Sequence, residues 1–188
     1  MEHFYEGILP DYFDYQDLYS MVVKEAIDGA KFVEVGCLYG RSSCYLGVEI
    51  VNSGKRINVD FIDPWFQYDD KREYLDKIPD RDAYMTFLRN IDLVKGLQQR
   101  TIRLESDEAC SVYEDASLDF VFIDGDHSED AVRKDLAAWF SKVKSGGTFA
   151  GHDFYFPGVN KAVNEFFSSR GMEGRVQGIG SSWMVRMK

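Results

Sequence analysis

Cysteine is scarce and poorly placed for structural duty: Cys37, Cys44 and Cys110 form an odd, widely spaced set, neither a disulfide framework nor a zinc-type cluster of close pairs. A reducing, cytoplasmic setting is therefore expected. Basic residues are also few, with 22 Lys and Arg against 32 Asp and Glu, a formal net charge of -10. Nucleic-acid binding draws much of its affinity from Lys and Arg displacing counterions, and no basic block is present, so no nucleic-acid partner is expected. Long apolar runs are missing as well. Nothing approaches the roughly 20 residues of a membrane span, and the opening MEHFYEGILPDYFDY lacks the basic-then-apolar layout of a leader. A soluble, unprocessed protein without a membrane partner is expected. There is no repeat, low-complexity tract or linker, and 188 residues with 45% hydrophobic content read as one domain, 1–188, with its own core.

What is present is alternation. Short apolar runs recur at KFVEVG, INVDFID, TIRLES, LDFVFIDGD and GGTFAGHD, and the longer segments between them have helical spacing. Runs such as FVEV and DFVFI are apolar at nearly every position, which suits strands covered by helices on both faces. Right-handed crossovers then give an α/β, doubly wound, Rossmann-like and mostly parallel sheet. Two strand-like pieces flank Gly178-Ile179-Gly180 with no helix between them, predicting an antiparallel C-terminal hairpin at the edge and seven strands in all. Residues 1–29 read as an N-terminal helical segment, with Leu18, Val22, Val23, Ala26 and Ile27 on one face, Asp14 or Asp17 as N-cap and Gly29 as stop. A later helix carries Ala131, Val132, Leu136, Trp139 and Phe140 and opens at Ser128. Residues 64–82, charged and aromatic, read either as a lid or as a solvated surface excursion.

The first run ends in FVEVGCLYGRSS, where Gly36 and Gly40 bracket a turn that would build a shelf for a ligand as the next helix starts at Arg41 or Ser42. The three-glycine dinucleotide fingerprint is missing, and Glu34 would repel a phosphate, so a ligand with a cationic group is the better fit. A glycine-rich turn required only by packing is the other reading. Asp63 closes the second run, where a carboxylate can accept two hydrogen bonds from a ribose diol.

The pattern E-x-G-x-x-x-G resembles the first motif of the class I S-adenosylmethionine-dependent methyltransferases, whose cofactor is a sulfonium with an amino-acid end. Ser106-Asp107-Glu108-Ala109 is similar to the S-x-E-A segment that lies along the adenine in that family, although Ser106 would equally serve as a helix N-cap. The ordered block from Ser117 to Phe154, with its IDGDH and GGTFAGHDF, resembles the branch related to enzymes that methylate sugar hydroxyls in macrolide and aminocoumarin biosynthesis. This resemblance runs from about Phe32 to the end of the chain. It implies S-adenosylmethionine as cofactor, held by Glu34, Gly36, Gly40, Ser42, Asp63, Ser106 and Asp124.

Methyl transfer from a sulfonium mainly demands in-line approach of the nucleophile, but an alcohol must also lose its proton to a base or be polarised by a metal. Asp124, Asp126 and His127 end the fourth run, and His152 and Asp153 end the fifth. Resemblance to metal-dependent relatives implies that Asp124 and Asp153 hold magnesium or a similar divalent ion. His152 stands where an oxygen ligand is usual, which suits a softer metal or none. Asp126 and His127 are the candidate catalytic bases, since imidazole titrates near neutrality. As alternatives, Asp126 or His127 caps the following helix and His152-Asp153 is a polar strand end. Trp65, Phe66, Tyr68, Phe154, Tyr155 and Phe156 read as an acceptor wall or as core.

The expected function is methyl transfer to a hydroxyl of a neutral or cationic small molecule, a sugar or natural product. An NAD-dependent oxidoreductase and a non-catalytic cofactor-binding module are the alternatives. A homo-oligomer, served by the aromatic N-terminus, is a further expectation.

Overall fold

The computed structural model describes residues 1–65 and 82–188, so the predicted lid at 64–82 lies almost wholly outside the described residues. The chain alternates α1 (Gln16–Glu25), β1 (Lys31–Val35), α2 (Arg41–Ser53), β2 (Asn58–Ile62), α3 (Ala83–Ile91), β3 (Gln98–Ile102), α4 (Ser106–Ala109), β4 (Leu118–Ile123), α5 (Glu129–Trp139), β5 (Val143–Gly151) and α6 (Pro157–Ser168), then closes with β6 (Gln177–Ile179) and β7 (Ser182–Arg186). The seven strands form one sheet in the order β3-β2-β1-β4-β5-β7-β6. The first five are parallel, while β7 runs antiparallel to β5 and carries β6 on the outside as the expected edge hairpin.

Helices cover both faces, and this explains central strands that are apolar at nearly every position. In β4, Phe120 and Phe122 belong to the core under α1, α2 and α3, with Leu18, Leu46 and Phe87, whereas Val121 and Ile123 belong to the core under α5 and α6, with Leu136, Trp139 and Phe167. Ser128 accepts from the Ala131 N–H and so caps α5 as its sequence predicts.

Two expectations need correction. The third strand begins at Gln98 rather than at TIRLES, because β3 is an edge strand paired only with β2, and its largely exposed side chains carry no apolar pattern. Helix α1 ends at Glu25, leaving Ile27 71% exposed, and neither Asp14 nor Asp17 caps it, the N-cap position being Tyr15.

The tightest constraint lies at the end of β1. Gly36 has φ +87°, its N–H donates to the Ile62 carbonyl, and the Asp124 N–H donates to the Val35 carbonyl, both at 2.8 Å. A Cβ on Gly36 would overlap the Asp124 carbonyl, whereas Gly29, with φ +85°, has open space around it. Gly29→Ala is therefore expected to cost about 1–2 kcal/mol, from the left-handed backbone alone. Gly36→Ala must also force the ends of β1 and β4 apart, which places it above about 4 kcal/mol. Urea unfolding of the two variants checks this, and equal losses would refute the close-approach account.

Candidate active site

The carboxyl ends of β1, β2, β4 and β5 open into one cleft, roofed on one side by the N-terminal segment from Leu9 to Tyr15. At the first strand end, the turn from Gly36 to Gly40 is held by Asp63. Its Oδ2 accepts from the N–H groups of Cys37 and Leu38, both at 2.9 Å, and its Oδ1 accepts from that of Trp65 at 2.6 Å. Burial raises the Asp63 carboxyl, and these backbone donors pull it back. A carboxylate offers about four acceptor positions, so three are filled and one, on Oδ1, is left for a ligand hydroxyl. The sequence suggested two bonds to a diol.

Glu34 does not line the cleft. It is fully buried beneath the turn, where its Oε1 accepts from Ser42 Oγ at 2.5 Å and its Oε2 has no hydrogen-bond partner among the described residues. Burial pushes this carboxyl up to about 7, with the Ser42 hydroxyl offsetting part of that rise. Ser42, Gly36 and Ser106 do face the cleft, whereas Gly40 turns the chain into α2 at φ +87° against the Phe87 ring. Ser106 opens α4 without capping it and accepts from Trp139 Nε1 at 2.9 Å.

At the ends of β4 and β5 the structure brings together Asp124, His127, His152 and Asp153. His127 Nδ1 meets Asp153 Oδ2 at 2.8 Å, and His152 Nδ1 lies 3.3 Å from Asp124 Oδ1 and 3.4 Å from Asp153 Oδ1. Burial alone would lower the His152 imidazole, but the Asp124 and Asp153 carboxylates facing it outweigh that and carry the group up to about 10. Burial likewise opposes ionisation of Asp153, yet the two histidines hold its carboxyl well below the usual range. The bond to Asp153 also raises His127, against a smaller effect of burial. Asp126 also lines the cleft, but its Oδ1 accepts from the Ser128 N–H at 2.7 Å, and that bond lowers its carboxyl, so it braces the N-terminus of α5. Asp124, His152 and Asp153 each offer a ligand atom, all within 4.8 Å of one another, and so fit a divalent ion.

Three contributors were missed by sequence reasoning. Tyr15 donates from its hydroxyl to Asp124 Oδ2 at 2.8 Å, Asp14 Oδ1 meets His152 Nε2 at 2.9 Å, and Ser181 Oγ lies 3.0 Å from the same nitrogen. Asp14 had been read as a helix cap, and no local pattern ties residue 14 to residue 152. Of the expected aromatic wall, Tyr155 and Phe156 line the cleft and Phe156 stacks on His127, while Trp65 is core at 2% exposure and Phe154 packs against the core. Phe66 and Tyr68 lie outside the described residues.

Glu34 yields a test of sign. Folded, it keeps its proton to about pH 7, whereas its ordinary value is 4.5, so the folded state holds the extra proton between these limits. Stability then falls as pH rises through that window, and the penalty is complete above it. Glu34→Gln removes the penalty: urea unfolding should show the variant near the parent at about pH 4 and more stable by on the order of 3 kcal/mol at about pH 8. A difference independent of pH would refute the buried, protonated assignment.

No curated protein matches the chain in sequence. The methyltransferase-domain family model matches residues 33–154, well over half of the chain. Among solved structures, the O-methyltransferase NovP is similar at 17% identity with TM-score 0.71, over 92% of this chain and 79% of that one. The S-adenosylhomocysteine-bound Podospora anserina methyltransferase PaMTH1 has 13% identity and TM-score 0.63, over 98% and 84%. The calicheamicin methyltransferase CalS11 has 14% identity and TM-score 0.61, over 91% and 76%. At such identities the likeness is one of fold, and it agrees with the family match: the chain belongs to the methyltransferase-domain family, as a class I S-adenosylmethionine-dependent methyltransferase.

Proposed function

We propose that the protein transfers the methyl group of S-adenosylmethionine to a hydroxyl of a neutral or cationic small molecule, with His127 as the base and a divalent ion at Asp124, His152 and Asp153. The observation that carries this reading is the His127–Asp153 pair, at 2.8 Å, opening on the same cleft as Gly36, Asp63 and Ser106. The cofactor supplies an electrophilic methyl carbon on a sulfonium. The ion, when bound, supplies Lewis acidity toward the acceptor oxygen.

The remaining work falls to the chain. The turn after β1 exposes backbone at the start of α2, suited to the carboxylate of the cofactor's amino-acid end, and Asp63 Oδ1 has one acceptor position for a ribose hydroxyl. Ser106 flanks the adenine position. Asp153 accepts a hydrogen bond from Nδ1–H of His127 and holds that proton on the ring, which leaves Nε2 as the proton acceptor, the arrangement a general base needs. His127 is about half exposed and stacked on Phe156, so it can reach an acceptor lying along Tyr155 and Phe156.

The acceptor class follows from charge. Asp11, Asp14, Glu105, Asp107, Asp126 and Asp130 rim the cleft, outnumbering Arg41 and Lys134 there, and Arg41 is already bound to Asp11 at 2.6 Å and to the Glu6 and Ile8 carbonyls. A polyanionic acceptor would meet repulsion. Sugars and hydroxylated natural products of low negative charge remain the fitting class, and the O-methyltransferase NovP supports O-methylation as the chemistry.

Calorimetric titration with S-adenosylhomocysteine is expected to show one site, and absence of binding would overturn the cofactor assignment. His127→Ala should leave that affinity within about twofold while lowering methyl transfer to a responsive acceptor, drawn from a panel of polyhydroxylated compounds, by roughly 10²–10⁴-fold. A variant with undiminished turnover would remove His127 from the base role.

A further inference from the structure

The environment of His152 differs at its two nitrogens. On Nε2, Asp14 Oδ1 sits at 2.9 Å and Ser181 Oγ at 3.0 Å, and Ser181 also donates to Asp14 Oδ1 at 2.5 Å. Nε2 is thus the nitrogen whose N–H is fixed by an outer carboxylate, and Nδ1 is aimed between Asp124 and Asp153. The Nδ1 distances of 3.3 and 3.4 Å exceed the 2.8 Å at which His127 pairs with the same Asp153 carboxylate. They also exceed the roughly 2.7–2.9 Å of a charge-assisted hydrogen bond. They match the spacing of donor atoms that share an ion at roughly 2.0–2.2 Å from each. The residue is buried, at 8% exposure.

An imidazole whose far N–H is tied to a carboxylate is the arrangement that orients metal-binding histidines and raises their basicity. Magnesium prefers oxygen donors in near-octahedral geometry, whereas imidazole nitrogen suits borderline first-row ions. We propose that Asp14 and Ser181 fix His152 as a nitrogen ligand, and that the site in consequence selects a borderline transition ion of the iron(II), cobalt(II), nickel(II) or zinc(II) kind over magnesium. This rests on the divalent-ion part of the proposed function and specifies which ions that site takes. Asp14 acts through His152 and is a positioning residue.

The test uses the full chain, stripped of metal and dialysed against Co²⁺ in competition with Mg²⁺, with visible absorption reporting bound cobalt. Cobalt should be retained against at least a roughly tenfold excess of magnesium. Asp14→Asn should weaken cobalt binding by roughly 10- to 100-fold, with S-adenosylhomocysteine affinity unchanged. His152→Asp, which restores an all-oxygen set, should shift the preference toward magnesium by at least about tenfold. Displacement of cobalt by equimolar magnesium in the parent, or an unaltered affinity in Asp14→Asn, overturns the selectivity while leaving a divalent-ion site intact. Failure to take up either ion overturns the site itself. S-adenosylhomocysteine titration of the same sample then reports separately on the cofactor assignment. Should His152→Asp fail to fold, Asp14→Asn decides alone, since the Asp14 side chain is 63% exposed and tolerant of exchange.

Discussion

The site depends on one buried carboxylate. Asp63 joins the turn after β1 to the chain leaving β2, because its two oxygens accept from Cys37, Leu38 and Trp65 at once. Leu38 and Trp65 both sit at positive φ, +46° and +43°, without being glycine. Each such residue costs on the order of 1 kcal/mol or more. Hydrogen bonds to a charged group contribute roughly 1.5–3 kcal/mol apiece, enough to offset that strain. Trp65 adds a bond from its Nε1 to the Leu38 carbonyl at 2.7 Å, closing the unit on itself. The shelf is therefore held by the chain's own bonds, and among the described residues the acid that holds it keeps one acceptor position unfilled.

A second buried acid extends this unit into the N-terminal segment. Glu34 lies beside Tyr19 of α1 and under Ser42 of α2, and Tyr15, one residue before α1, reaches past it to Asp124. Phe13, Tyr15, Tyr19 and Phe122 form a run of ring contacts at 4.6–6.0 Å, and the Tyr15 ring also packs on His152 at 4.7 Å. Residues that precede the first strand thus touch Asp124 and His152 at two strand ends. Shifting α1 would move Asp14 and Tyr15 together, and with them the partners of His152 and Asp124.

The strands and their cleft-lining ends were legible in the sequence because both signals are local. Apolar runs ending in Gly36, Asp63, Asp124 and Asp153 place those residues at strand ends whatever the rest of the chain does. Contacts between remote residues left no such mark. Asp14 and His152 are 138 positions apart, and Tyr15 and Asp124 are 109 apart, so each looked like an ordinary surface acid or core aromatic. Glu34 was misjudged for a different reason. Period-two alternation places it on the face of Phe32, toward α1 and α2, and that face is wholly buried, so the acid ends a strand without reaching the ligand side. Edge strand β3 was displaced because an exposed strand has little apolar pattern to read.

Charge balance links the shelf to the two histidines under the proposed reaction. A sulfonium and a hydroxyl become a thioether and an ether, so one positive charge vanishes from the cofactor and one proton is released from the acceptor. If that proton is kept by His127, the positive charge moves within the cleft, from the sulfur to an imidazolium that already rests on Asp153. The acidic lining then sees the same net charge before and after transfer, and its carboxylates need no rearrangement as the reaction proceeds. A site with fixed charges of this kind stabilises the developing imidazolium without reorganisation, which is where preorganised electrostatics contributes most to rate. Arg41 would disturb that balance were it free, but Asp11 and two backbone carbonyls already hold it.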